Sequence, residues 1–433
     1  MLILQVFIIG PILAYKAPDS NHYWRKVVNA IDFYSNPKRK ISGQGAGLAD
    51  FSAKEAARVL AFHKSFREYA PTPLVDLSGL AACLGFGKVM VKDESKRFGL
   101  NAFKVLGGSY AIGRILAERL GRPIDSLSRD ELASAPVREK LGDITFVTAT
   151  DGNHGRGVAW TAQQLGMKAV VFMPKGSAEI RAANIRATGA ECHITEYNYD
   201  DSVRIADKYA TENGGVMVQD TAWEGYEDIP RWIMQGYMTL AVEALEQMRG
   251  MGVEKPTHLL LQAGVGSFAG AALGYMAAAL GNDMPVTAIV EPHSANCIYR
   301  SLMAPDSQPR TVTGDMQTIM AGLACGEPST ISWGVLRDYA AAGISCPDYI
   351  AANGMRILAS PRPGDTPVVS GESGAVTTGI LEYMATTEQG RAMAASLGLN
   401  KNSTVLCIST EGDTSPELYR EIVWYGKNPD QGR

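Results

Sequence analysis

The chain has 433 residues, of which 46% are apolar and 20% charged, a globular balance that excludes disorder as the main state. Its length suits two to three domains at ~150 residues each. Lys plus Arg (41) against Asp plus Glu (45) leaves a net charge of −4. With no dense basic run, the footprint of a nucleic-acid binder is excluded and small-molecule partners are expected.

The opening MLILQVFIIGPIL has an apolar run of signal-peptide length, but the first positive charge, Lys16, follows the run instead of preceding it. It reads as an upstream translation start or a terminal hydrophobic strand. No stretch of about 20 apolar residues is present, so no membrane span is expected. From about Phe51 onward short apolar runs alternate with helical patterns, the signature of strand and helix layers around a mostly parallel sheet, and the fold class is α/β. The first strand-like run is Lys88 to Val91. Leu100 to Gly108 then leads into a helical run from Lys104 to Leu120. Lys104 stands at its head among Phe103, Val105 and Leu106, either as a partly desolvated amine that is nucleophilic toward carbonyls or as a snorkelling surface lysine.

Ile144 to Thr148 is the next strand-like run, followed by the polar, glycine-flanked turn Thr148 to Gly155 and a helical segment Val158 to Leu165. Ligands of open α/β sheets gather at the carboxyl ends of strands, so Asp151 and Asn153 in that turn are placed to face a crevice, with His154 in their company. Further strand-like runs are Ala169 to Met173, Cys192 to Thr195 and Val216 to Val218, the last delivering Asp220 to another strand end. Two acids so placed suit acid/base work, and each also suits a helix N-cap. Pro174 to Gly176 and Asp228 to Pro230 read as turns, and Trp232 to Met248 as an amphipathic helix.

His258 to Gln262 is strand-like and runs into Gly264-Val265-Gly266-Ser267-Phe268-Ala269-Gly270, which opens a helical run Ala271 to Leu280. Such a turn cradles phosphate with outward backbone N–H groups at a helix N-terminus. It also fits the dinucleotide fingerprint, with Glu291, after the strand Val286 to Val290, as the ribose-binding acid. The loop alone leaves a phosphorylated cofactor, NAD and a plain packing turn open. Pro305 to Gly314 is a polar loop, and Thr404 to Ser409 is the last strand-like run.

The six cysteines form neither a zinc knuckle nor a Cys-x-x-Cys pair, so no metal site is expected and they read as reduced thiols of a cytoplasmic protein. No nucleophile elbow, zincin helix or Walker loop occurs.

Taken together, Pro71-Thr72-Pro73-Leu74, Lys92-Asp93-Glu94-Ser95, Ala102-Phe103-Lys104, Asp151 to Gly155, Gly264 to Gly270, Gly371 to Ala375 and Ser409 to Gly412 resemble, in order, the motifs of the fold-type II family of pyridoxal-phosphate enzymes. The resemblance runs from Pro71 to about Gly412. It implies two three-layer open twisted sheets: a large cofactor-binding domain of residues 22–104 and 232–433 and a small domain of residues 105–231. Residues 1–21 have no counterpart. It further implies that Lys104 carries pyridoxal 5'-phosphate as a Schiff base, Phe103 adjoins it, and Asn153 bonds its phenolic oxygen. Gly264, Val265, Gly266 and Ser267 would hold the phosphate, and Ser409 or Thr410 would meet the pyridine nitrogen.

Lys92 to Lys104, Thr150 to Gly157, Gln219 to Tyr226 and Ser409 to Thr414 are most similar to the diaminopropionate ammonia-lyase branch of that family. That likeness implies a homodimeric carbon–nitrogen lyase of amino-acid degradation, converting D- and L-2,3-diaminopropionate to pyruvate and two ammonia. Lys104, Asp151 and Asp220 would be its catalytic residues. Asp151 and Ala102 stand where dehydratases carry serine, and a serine/threonine dehydratase is the alternative; an NAD-binding oxidoreductase is a remoter one.

Overall fold

The computed structural model describes residues 31–41, 43–150 and 152–430. The hydrophobic opening segment and Asp151 lie outside the described residues. Every strand-like run expected from the sequence becomes a strand: β3 (Lys88–Asp93), β4 (Thr145–Ala149), β5 (Lys168–Met173), β6 (Glu191–Ile194), β7 (Val216–Met217), β8 (His258–Gln262), β9 (Val286–Pro292) and β11 (Thr404–Ser409). Three more were not foreseen: β1 (Asp32–Ser35), β2 (Leu74–Asp76) and β10 (Ala342–Cys346).

The strands form two sheets among the described residues. The larger has the order β1-β10-β9-β8-β11-β3-β2 and the smaller β6-β5-β4-β7. All neighbours pair in parallel except at the edges of the larger sheet, where β1 runs antiparallel to β10 and β2 to β3. Parallel strands require crossover helices that cover both faces, so their residues are buried throughout and mostly apolar, as in the fully buried His258-Leu259-Leu260-Leu261-Gln262.

Two helices set the position of Lys104. One spans Val105–Leu120 directly after it, and the other spans Asp228–Gly250. They pack nearly backbone to backbone: a Cβ on Gly236 would stand 2.3 Å from the Leu106 carbonyl oxygen, and one on Gly107 2.6 Å from Ile233 and Tyr237. Only glycine permits that approach. His63 staples the same pair, its ring nitrogens bonded to the Thr239 hydroxyl (2.7 Å) and the Leu106 carbonyl (3.0 Å). Burial, aided by the Arg97 charge, pushes its pKa down to about 3, so it is a neutral core histidine. Asp228-Ile229-Pro230, expected as a turn, is instead the first turn of the long helix. Proline is tolerated there because its missing N–H would have no intrahelical acceptor.

Beneath this helix pair lies a buried, charge-balanced cluster. Arg97 donates to both carboxylates, Glu94 (2.9 Å) and Glu243 (2.8 Å), while Lys92 donates to Glu243 (2.7 Å) and the Thr72 carbonyl (2.7 Å). Thr72 donates to Glu94 at 2.6 Å. Burial would raise the Glu243 pKa, but Arg97 and Lys92 outweigh it and hold it down at about 2. The stability this group contributes is complete above the ordinary glutamate range and is lost as pH falls toward about 2. Glu243→Leu, which leaves two buried cations on one carboxylate, is expected to destabilise the fold by about 3–5 kcal/mol. Urea unfolding of the variant checks this; a loss under about 1 kcal/mol would mean that water reaches the cluster.

Candidate active site

Lys104 is the N-cap of the Val105–Leu120 helix and aims its amine into a cavity between the carboxyl ends of the strands. Its Nζ donates to Asp220 Oδ2 at 2.8 Å, with the lysine side chain 18% and the aspartate side chain 5% exposed. Burial would raise the Asp220 pKa, but the Lys104 ammonium and the His154 imidazole outweigh it and hold the carboxyl down at about 2. Beside that ammonium Asp220 is held as an anion. His154 Nε2 donates to the Val218 carbonyl (2.8 Å), which turns Nδ1 to within 4.0 Å of Asp220 Oδ2.

The glycine loop forms the adjoining wall. Gly266 has φ +93°, and a Cβ there would lie 2.8 Å from both Leu336 and the Ser332 hydroxyl, so conformation and space alike demand glycine. The helix Ser267–Leu280 starts immediately after it, leaving first-turn N–H groups without intrahelical acceptors at the cavity edge. The Ser267 hydroxyl donates to the Asp220 carbonyl at 2.7 Å, tying the loop to the strand end that carries the acid. The Val265 carbonyl accepts from the Ser329 N–H (2.8 Å) and the Ser332 hydroxyl (3.2 Å). Phe103 completes the wall, packed 4.7 Å from Tyr237 and 5.0 Å from Phe268 between ring centres.

Asn153 begins the helix Asn153–Gln164, and its Nδ2 donates to Glu411 Oε2 at 2.6 Å. The Thr414 hydroxyl donates to the same oxygen at 3.1 Å. Burial and the nearby Glu411 charge push the Glu372 pKa up to about 7, so Glu372 is only partly ionised near neutrality. After β11 the two hydroxyl residues diverge. Thr410 lines the cavity. The Ser409 hydroxyl is turned to the Ser370 hydroxyl (2.8 Å) and the Glu411 carbonyl (3.3 Å).

One cavity thus gathers Lys104, Asp220, Phe103, Asn153, Gly264, Val265, Gly266, Ser267 and Thr410, residues the sequence singled out. Ser409 is outside its lining, and Asp151 lies outside the described residues, between Thr150 and Gly152. Three residues the sequence reading did not assign to the site also belong here: His154, Gln262 and Glu411. The first and last stood inside quoted motifs, whereas Gln262 is only the final residue of an apolar strand. Glu291, the acid of the dinucleotide reading, accepts the backbone N–H groups of Ile298 (2.9 Å) and Tyr299 (2.6 Å). It caps a helix start, which removes the ribose-binding role. All six cysteines are free thiols.

These residues fit pyridoxal phosphate on chemical grounds. A primary amine forms an imine with an aldehyde, a glycine cradle at a helix N-terminus suits a dianion, and an amide and a hydroxyl suit the ring's oxygen and nitrogen. Gln262, which lines the cavity, has a buried carbonyl oxygen, Oε1, with no hydrogen-bond partner among the described residues, the kind of group that calls for an explanation outside packing. Fold and site define a pyridoxal-phosphate enzyme, and the family model described as pyridoxal-phosphate dependent enzyme matches residues 66–410. Within that class the chain belongs to the diaminopropionate ammonia-lyase family. It is 56% identical over 399 residues to the diaminopropionate ammonia-lyase of Salmonella typhimurium, covering 92% of this chain and 99% of that one. The holo crystal structure of the Escherichia coli diaminopropionate ammonia-lyase superposes with a TM-score of 0.86 at 50% identity, over 93% of this chain and 98% of that chain. A second structure of that enzyme, with an aminoacrylate-PLP azomethine reaction intermediate, superposes with a TM-score of 0.84 at 49% identity, over 93% and 98%.

Proposed function

We propose that the chain eliminates ammonia from both D- and L-2,3-diaminopropionate, giving pyruvate and a second ammonia. The observation that carries this reading is the 2.8 Å pairing of the Lys104 amine with the buried Asp220 carboxylate beside the glycine cradle. Bound pyridoxal phosphate supplies an electron sink that acidifies the Cα–H of an amino acid joined to it. Lys104 is the residue of covalent attachment, Gly264 to Ser267 hold the phosphate, Asn153 meets the phenolic oxygen, Thr410 the ring nitrogen, with Ser409 bracing the strand end behind it, and Phe103 packs beside the ring.

The 3-amino group is a poor leaving group unless protonated, so a carboxylate that stays charged must hold it as ammonium. Asp220 meets that need, and its present partner, the Lys104 ammonium, is the same chemical group as the one proposed to replace it. Lys104 reaches only one face of a planar adduct and takes the Cα proton of one isomer, by family likeness the L form. Asp151, two residues before Asn153 in the same turn, is assigned to the proton of the D form from its place in the chain. Asp151→Asn is expected to slow the D isomer by roughly 10²–10⁴-fold, about 3–5 kcal/mol of barrier, and the L isomer less. Asp220→Asn should slow both. Parallel pyruvate assays on the two enantiomers decide this, and equal losses in Asp151→Asn recast that residue as an amine anchor. Faster pyruvate release from serine than from diaminopropionate in the wild type would favour the dehydratase reading.

The domain division proposed is residues 22–104 and 232–433 against 105–231, supported by β4 to β7 lying wholly in the second stretch and the remaining strands in the first. A homodimer is proposed from family likeness, supported by Trp424 and Tyr425 at 69% and 77% exposure. Six free thiols suit a reducing cytoplasm.

A further inference from the structure

We infer that Gln262 is a positioning residue that fixes the direction in which the Thr410 hydroxyl donates, so that the cavity is offered its proton and the cofactor's ring nitrogen is kept an acceptor. This rests on the reading above that Thr410 meets that nitrogen. Gln262 ends β8, is 1% exposed and lines the cavity. One end of its amide faces two oxygens, the Ile408 carbonyl at 3.0 Å and Thr410 Oγ1 at 2.9 Å. A carbonyl only accepts, so the end facing it is the NH₂, and the same nitrogen's second proton goes to Thr410.

The hydroxyl of Thr410 is thereby an acceptor toward Gln262 and retains its own proton. No described residue accepts that proton, and the side chain stands on the cavity wall. With the amide reversed, Thr410 would donate to Gln262 and show the cavity only lone pairs, an arrangement suited to a protonated nitrogen. The Ile408 carbonyl excludes that orientation. Ser409 does not compete, since its hydroxyl is bonded to Ser370 and the Glu411 carbonyl. The arrangement leaves Gln262 Oε1 buried without a partner among the described residues. Such a defect is destabilising and calls for an explanation outside packing; orientation of Thr410 provides one. A ring nitrogen that only accepts withdraws less charge from Cα, which favours departure of the leaving group over return of the proton.

The test is nitrogen-15 NMR of holoenzyme reconstituted with ring-labelled pyridoxal phosphate, alongside cofactor titration. The wild type should show an unprotonated, hydrogen-bonded nitrogen. Thr410→Val should move the resonance to that of a free pyridine and raise the cofactor Kd by roughly 3–10-fold. Gln262→Met should move it part of the way in the same direction, and the double variant should match Thr410→Val alone, because Gln262 acts only through that hydroxyl. Gln262→Asn, which keeps the amide but draws it back from Thr410, carries the same expectation should the methionine variant fail to fold. An unchanged resonance in both Gln262 variants, or a double variant weaker than Thr410→Val, overturns the inference. An unchanged resonance in Thr410→Val instead overturns the assignment of Thr410 on which it rests, whatever Gln262 does.

Discussion

Replacing Lys104 with alanine is expected to abolish the visible absorption band of the bound cofactor and to reduce pyruvate formation at least as much as loss of a general base, roughly 10²–10⁴-fold. Two separate losses combine. The variant has no amine at the head of the Val105–Leu120 helix to attach the cofactor. It also strips Asp220 of the ammonium 2.8 Å away that holds its carboxyl down at about 2. Burial then dominates and the Asp220 pKa rises until another ammonium, such as the substrate's, takes that place. Lys104→Arg separates the two effects: the guanidinium restores a cation beside Asp220 but forms no imine under these conditions. The arginine variant should therefore regain the low Asp220 pKa and remain inactive. Activity in Lys104→Arg above a few per cent of wild type would move the attachment site elsewhere.

Gly266→Asp is expected to weaken cofactor binding by roughly 10²-fold or more, with the far-ultraviolet circular dichroism unchanged. The backbone there has φ +93°, where any side chain is strained by about 1–2 kcal/mol, and the new Cβ would press on Leu336 and Ser332 at 2.8 Å. The added carboxylate would also face a dianion at a helix N-terminus. Gly266→Ala carries the strain without the charge, so the difference between the two variants reads the electrostatic part. Equal Kd values for wild type and Gly266→Asp would place the phosphate somewhere other than the loop Gly264 to Ser267.

Much of this architecture was legible in the sequence because parallel strands covered on both faces are written as unbroken apolar runs. The strands that escaped notice lack that signal. β2 is three residues among prolines, and β10 is Ala342-Gly343-Ile344-Ser345-Cys346, whose small residues carry little hydrophobic contrast. At the site, Lys104, Asn153, Asp220 and the glycine loop each stand in a recognisable local motif. Their partners do not, because side-chain contacts across the sheet have no sequence spacing to read. Asn153 meets Glu411 across 258 residues, and Gln262 meets Thr410 across 148. The buried ionic cluster divides in the same way: Lys92 and Arg97 sit in a visible run, while their shared carboxylate, Glu243, comes from a helix more than 140 residues later.

The central claim is that this cavity holds pyridoxal phosphate on Lys104. It is tested most directly by reducing the holoenzyme with borohydride, digesting it and locating the modified peptide by mass spectrometry. The account predicts a phosphopyridoxyl group on the ε-nitrogen of Lys104, in stoichiometric amount and absent after Lys104→Ala. A modified lysine elsewhere in the chain, or no modified peptide from protein that forms pyruvate from diaminopropionate, would contradict it.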